Sequence, residues 1–197
     1  MNKYSILVNK THQVDKDYVP NDLVDVEEET AIKENGYKNQ LVKEVYDAYK
    51  LMKEDALKEG FLIYVDSSYR SYDYQKDLMD RYIKDKGIEY INNYVAPPGC
   101  SEHQTGLCFD VLLKRGDTYI EESFADDPEI QWLTSNCYKY GFILRYPKGY
   151  ESITGYNYEG WHYRYIGVEH STKMHELDIN TYEEYYDKYL AGGNKWI

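Results

Sequence analysis

Positive charge is in short supply in this sequence. Lys and Arg number 23 against 35 Asp and Glu, a formal net charge of −12 at pH 7 over 197 residues. A surface of that sign repels polyphosphate, so the electrostatic footprint of a nucleic-acid binder is missing. The same sign argues against attachment to an anionic membrane or polymer by charge. Cysteine is scarcer still. Cys100, Cys108 and Cys137 are odd in number and lack C-x-x-C spacing, so neither a disulfide framework nor a zinc knuckle is expected. No apolar run reaches the roughly 18 residues of a membrane-spanning helix. Residues 1–10 hold too short an apolar stretch for a signal peptide. The expected compartment is therefore the cytoplasm, with an exported protein trimmed of its anchor as the alternative. Phe is rare, at 4 residues, whereas Tyr reaches 25. A tyrosine has an apolar body and a polar tip, so many of these can pack and still line a wet groove.

The chain is long enough for one domain with a real core. Residues 4–8 read as a short strand. Residues 9–35 are polar and acidic, with Pro20 and the run Glu27-Glu28-Glu29. They read as an arm on the surface, the acidic run being a solvated face. From 36 to 59 the pattern is helical: Leu41, Val45, Tyr49, Met52 and Ala56 form one apolar stripe, and Gly60 is the stop. Phe61 to Val65 is a buried strand. Ser71 caps a second helix that runs to Lys86 before Gly87, with Leu78, Met79, Tyr82 and Ile83 on its buried side. Leu107 to Leu113 reads as a strand. Asp127-Pro128 starts a helix that ends near Gly141. Further strands are expected at 142–146 and 161–166, and a last helix at 181–190. Short strands interspersed irregularly with helices imply an α+β fold with a mostly antiparallel sheet.

Two stretches carry candidate chemistry. Ser101 to Asp110 offers His103 and Asp110, seven residues apart, and Glu159-Gly160-Trp161-His162 offers a Glu and a His three apart. Asp110 sits in an apolar strand between Phe109 and Val111, which face the other side. A carboxylate there is costly unless it is paired or on a metal. Gly106 lets the backbone turn tightly between His103 and Asp110. Strand alternation puts His162 and Arg164 on one face. Glu159 would fall on the opposite face unless Gly160 provides a turn or bulge. Taken singly, each pair also fits a plain reading: a satisfied loop His with an ion-paired Asp, and an edge-strand His. Together, two imidazoles, a carboxylate and a spare glutamate are the donor set of zinc hydrolases. Arg70, where a strand meets a helix, can hold a substrate carboxylate or a developing oxyanion, or form a structural ion pair. Gln75, in the first turn of that helix, can line the same cleft. Arg145 reads as structural, and Cys100 and Cys108 as small buried side chains.

These residues carry a resemblance. Ser68-Tyr69-Arg70-Ser71 with Gln75, Tyr94 to Gly99, Ser101 to Asp110, Tyr140 to Pro147, Ile153-Thr154-Gly155 and Glu159 to Gly167 resemble the metal-dependent D-alanyl-D-alanine carboxypeptidases and dipeptidases of the vancomycin-resistance type. The matching pieces span about residues 60–168. The resemblance implies an α+β D,D-peptidase (hedgehog-like) fold and one zinc ion per chain held by His103, Asp110 and His162. It implies Glu159 as catalytic base, Arg70 as support for the transition state, and Ser101 and Gln75 as substrate contacts. Gly160 and Cys108 depart from the proline and the small residue common in that family. The expected organisation is a single peptidase domain over 1–197, with an arm at 1–35, a catalytic core at 36–168 and a C-terminal helical region at 169–197. The expected activity is release of C-terminal D-alanine from a small peptidoglycan precursor peptide, with no nucleic-acid partner and no membrane segment. The alternatives are a D,D-dipeptidase or bifunctional enzyme, an L,D-carboxypeptidase, and a non-catalytic zinc-stabilised binding module.

Overall fold

A five-stranded antiparallel sheet positions everything else. In the computed structural model, which describes residues 3–30, 36–120 and 125–191, its strands are β3 (Leu62–Ser67), β4 (Cys108–Arg115), β5 (Thr118–Ile120), β6 (Phe142–Tyr146) and β7 (Glu159–Tyr165). The order is β3-β4-β7-β6, with β5 paired to β4. A separate two-stranded sheet pairs β1 (Leu23–Asp25) with β2 (Gln40–Val42). The helices are α1 (Lys43–Lys58), α2 (Tyr72–Lys86), α3 (Ile88–Tyr94), α4 (Pro128–Asn136), α5 (Glu151–Thr154), α6 (Val168–Glu176) and α7 (Tyr182–Tyr189). The α+β expectation and the antiparallel sheet therefore hold.

Strand alternation divides the five-stranded sheet into two faces with different tasks. Phe109, Val111, Leu113, Phe142 and Tyr163 point to one face and join Val45, Tyr49, Met52 and Ala56 of α1 in the main core. The residues between them, Cys108, Asp110, His162 and Arg164, point the other way, with Cys108 opposite Arg164 and Asp110 opposite His162. A second apolar cluster of Leu7, Ile143, Ile166, Met174, Tyr182 and Tyr185 joins α6 and α7 to that second face.

Several expectations need correction. Residues 4–8 form no strand; instead, the carbonyls of Tyr4 and Ile6 accept from Arg164 Nη2 at 3.1 and 2.6 Å. The helix expected from residue 36 starts at Lys43, because Gln40–Val42 pairs with β1. The apolar stripe is buried all the same. In α2, Ser71 Oγ accepts from the Tyr74 N–H at 3.1 Å, as a cap should. Its apolar side, however, is not core: only Gln75 is buried, and Leu78 and Tyr82 form the wall of a cleft. The acidic run is not simply solvated. Glu28 is partly buried, its side chain largely covered, and accepts from Tyr49 Oη at 2.7 Å, from the Val65 N–H at 2.9 Å and from Lys53. Residues 31–35 of the arm and 192–197 of the C-terminal region lie outside the described residues.

Neighbouring side chains of α1 should respond in opposite ways. Met52 is fully buried, whereas Leu51 is 59% exposed. Met52→Ala is expected to lower unfolding free energy by about 2–5 kcal/mol. Leu51→Ala is expected to stay within about 0.5 kcal/mol of the unsubstituted chain. Denaturant titration checks both.

Candidate functional site

His103 lies on a 3-10 turn, Glu102–Thr105, between Ser101 and Gly106. The turn closes because Gly106 adopts a left-handed φ of 64°, and a Cβ there would sit 2.8 Å from Leu23 Cδ2. His103 Nδ1 approaches the Ser68 carbonyl at 2.6 Å. A carbonyl only accepts, so Nδ1 carries a proton and Nε2 is the nitrogen left to meet a metal. That Nε2 lies 3.3 Å from Asp110 Oδ2.

His162 is the cross-strand partner of Asp110. Its Nε2 faces Glu102 Oε2 at 3.4 Å. By the same argument Nε2 holds a proton, and Nδ1 is the nitrogen turned toward Asp110. Nδ1 lies 3.1 Å from Asp110 Oδ1. That oxygen is nevertheless buried with no hydrogen-bond partner. One nitrogen of each imidazole and the Asp110 carboxylate thus converge on one point, which is how three ligands are disposed around a divalent ion with a fourth position open. Buried Asp110 would be expected to hold its proton, but the two imidazoles override burial and keep its carboxyl well below the usual range.

Glu159 reaches the same place through an irregularity in β7. Leu144 pairs with Tyr163 and Tyr146 with Glu159, so two steps along β6 match four along β7. The extra residues bulge around Gly160–His162 and undo strict alternation. Glu159 Oε2 thereby comes within 3.8 Å of His162 Nδ1. The expected bulge is present, and it forms without a left-handed φ at Gly160. Burial pushes the Glu159 carboxyl up to about 8 despite the pull of His162. Two nearby carboxylates are thus driven in opposite directions, the pattern that separates a ligand from a proton-transfer group.

The remaining expected residues line the same cleft, a cavity of about 130 Å³. Arg70 Nη1 is 4.0 Å from Asp110 Oδ2 and donates to Ser67 Oγ at 3.1 Å, while its buried Nε has no partner. Gln75 Nε2 donates to the Ala96 carbonyl at 2.8 Å, leaving Oε1 buried and unpartnered. Ser101 is buried at the start of the His103 turn. Tyr82, Tyr90, Tyr94, Tyr146, Tyr156 and Trp161 complete the wall, so the tyrosine-lined groove is there.

Cys108 is buried as expected, but it is not remote. Its Sγ and a nitrogen of each of His103 and His162 lie within 4.8 Å of one another, a second donor set that could hold a metal. Burial opposes its ionisation, and the two imidazoles override it, bringing the thiol to about 7. Sequence reasoning also assigned nothing to Glu102, which adjoins His103 in sequence and His162 in space. The only signal was a second acid, beside His103, in the Ser101 to Asp110 stretch.

The family described as VanY, D-alanyl-D-alanine carboxypeptidase, matches residues 38–168. Over 125 residues the chain is 43% identical to the bifunctional D-Ala-D-Ala dipeptidase and D-Ala-D-Ala carboxypeptidase VanXYC of Enterococcus gallinarum, covering 62% of this chain and 65% of that one. Among solved structures, the LdcB LD-carboxypeptidase superposes with a TM-score of 0.82 at 41% identity, covering 95% of this chain and 88% of that chain. A mutant of VanY from the VanB-type resistance cassette, in complex with Zn(II), superposes at 0.75 with 31% identity, covering 93% and 99%. The chain spans about two thirds or less of the length of the curated relatives it matches.

The two donor sets can be told apart by zinc titration against a competing chelator. Asp110→Ala is expected to weaken zinc binding by more than the roughly 10- to 100-fold that loss of an outer-shell partner costs. Cys108→Ala is expected to leave the affinity within a few-fold, about 1 kcal/mol or less. The reverse outcome would make Cys108 the ligand in place of Asp110.

Proposed function

The chain belongs to the VanY family of D-alanyl-D-alanine carboxypeptidases, and from that premise we propose that it is a zinc-dependent D,D-carboxypeptidase that releases C-terminal D-alanine from peptidoglycan precursor peptides. The observation that carries this reading is the convergence of His103 Nε2, Asp110 and His162 Nδ1 with Glu159 held 3.8 Å from the last of these. The whole chain acts as one peptidase domain: the arm supports the His103 turn, since Gln104 Nε2 donates to the Asp15 carbonyl at 2.8 Å.

His103, Asp110 and His162 hold one zinc ion. Bound there, zinc supplies Lewis acidity, lowering the pKa of a water and polarising the scissile carbonyl. Glu159 accepts the proton of the attacking water as its oxygen adds to the amide carbon. It then delivers that proton to the departing amine nitrogen as the C–N bond breaks. Burial, joined by the charge of Asp110, lifts the Glu159 carboxyl to about 8, and a further cation close by lowers it, so the same group can take and return a proton near neutrality. The Arg70 guanidinium, with its Nε unpartnered, faces the oxyanion that develops on the former carbonyl. Gln75 Oε1 accepts from a peptide N–H of the substrate, and Ser101 contacts the peptide beside it. The tyrosine and tryptophan walls exclude water and restrict the cleft to a slender peptide.

The L,D-carboxypeptidase reading is the second. Its support is the likeness to LdcB, at a higher identity and TM-score than the likeness to VanY.

Glu159→Gln, with zinc still bound, is expected to lower kcat by at least about 100-fold. Arg70→Ala is expected to lower it by about 100- to 1,000-fold. A panel of a pentapeptide ending in D-Ala-D-Ala, a tetrapeptide ending in D-Ala, and D-Ala-D-Ala itself, each with and without chelator, separates the specificities. Fastest chelator-sensitive cleavage of the pentapeptide is expected. Cleavage of the tetrapeptide alone replaces the D,D reading with the L,D one, and a wild-type rate in Glu159→Gln removes the proposed base.

A further inference from the structure

Behind the cleft lies a charged cluster with no solvent exposure. Glu102, Arg145 and Arg164 all have side chains 0% exposed. Glu102 Oε1 accepts from Arg145 Nε and from Arg164 Nη1, each at 2.8 Å. The outer edge of Arg145 forks onto Glu183 of α7, at 2.8 and 2.6 Å. The outer edge of Arg164 holds the carbonyls of Tyr4 and Ile6. Two guanidiniums are thus matched by two carboxylates, Glu102 and Glu183.

The two guanidiniums use only one oxygen of Glu102. The other, Oε2, faces His162 Nε2 at 3.4 Å. On its β6 side His162 lies in the bulge opposite Arg145 and has no strand partner, while on its β4 side it pairs with Asp110. That pairing fixes where the His162 side chain starts but does not set the rotation of its ring. A carboxylate locked by two guanidiniums does, by holding the ring so that Nδ1 turns toward Asp110 and Glu159.

We propose that Glu102 is a positioning residue for His162, and that the C-terminal helix α7 reaches the cleft through Glu183, Arg145 and Glu102. The proposal rests on the reading of His162 Nδ1 as a metal ligand. It makes α7 part of the catalytic unit, beyond the 38–168 region matched by the family.

The test compares wild type, Glu102→Gln and Glu183→Gln in full-length protein. Zinc affinity is measured by chelator competition, and the His162 ring by long-range 1H–15N correlation in the zinc-loaded state. Wild type is expected to show a protonated Nε2 and a metallated Nδ1. Glu102→Gln should lose about 10- to 100-fold in zinc affinity and show a shifted or broadened Nε2–H signal. Glu183→Gln should keep that signal and lose a smaller factor, about 3- to 10-fold, within the same outer-shell range. A folded Glu102→Gln with wild-type affinity and an unchanged ring signal overturns the proposal, even if its Tm falls, since a purely structural role would lower Tm alone. If Glu102→Gln does not fold, wild-type zinc affinity in Glu183→Gln overturns it. Wild type that binds no zinc, or that ligates through Nε2, overturns the metal-centre reading itself and is recognisable before any variant is made.

Discussion

The second face of the sheet depends on one buried carboxylate between two buried guanidiniums. Glu102, Arg145 and Arg164 come from a 3-10 turn and from β6 and β7, and none of the three side chains reaches solvent. Burying these charges is costly, and removing one would leave the others uncompensated. The cost is offset only when every donor and acceptor is met. Here Glu183 takes the outer edge of Arg145, and the backbone of the N-terminal arm takes that of Arg164. An arm, two strands and the last described helix are thereby tied to one point. The sheet face that carries Asp110 and His162 is built around that point.

Two carboxylates in the cleft differ because their surroundings differ. Asp110 lies between two imidazoles, which hold it ionised in spite of burial. Glu159 lies at the start of a bulged strand, where burial dominates and lifts its carboxyl to about 8. An unbulged β7 would turn Glu159 to the opposite face, since it lies three positions before His162, an odd step along a strand. The irregularity of one strand thus sets both the distance between the two groups and the difference in their protonation.

Much of the arrangement was legible in the chain. Apolar alternation through Phe109, Asp110 and Val111 predicted that Asp110 points away from the face of its two apolar neighbours, and so it does. The stripe from Val45 to Ala56, the Ser71 cap and the strand at 142–146 are local patterns, and local patterns survive folding. Where the reading failed, a partner far along the chain had intervened. The strand expected at 4–8 is instead held by a guanidinium from β7. Leu41 left the helix to pair with β1. Glu28 left the solvated face to accept from Tyr49. The buried side assigned to α2 faces a cleft because α3, which the sequence reading did not anticipate, packs beside it. Cys108 is a small buried side chain, as its surroundings in the chain imply, yet the fold brings its sulfur beside both imidazoles.

The sequence by itself determined which chemical groups are available, in what order, and on which face of each strand they fall, because those properties depend on residue type and period alone. It could not determine which nitrogen of each imidazole keeps its lone pair. That choice belongs to Ser68, 35 residues before His103, and to Glu102, 60 residues before His162. A hydrogen bond fixes a tautomer only once its acceptor is in place, and only the tertiary structure puts these two acceptors there.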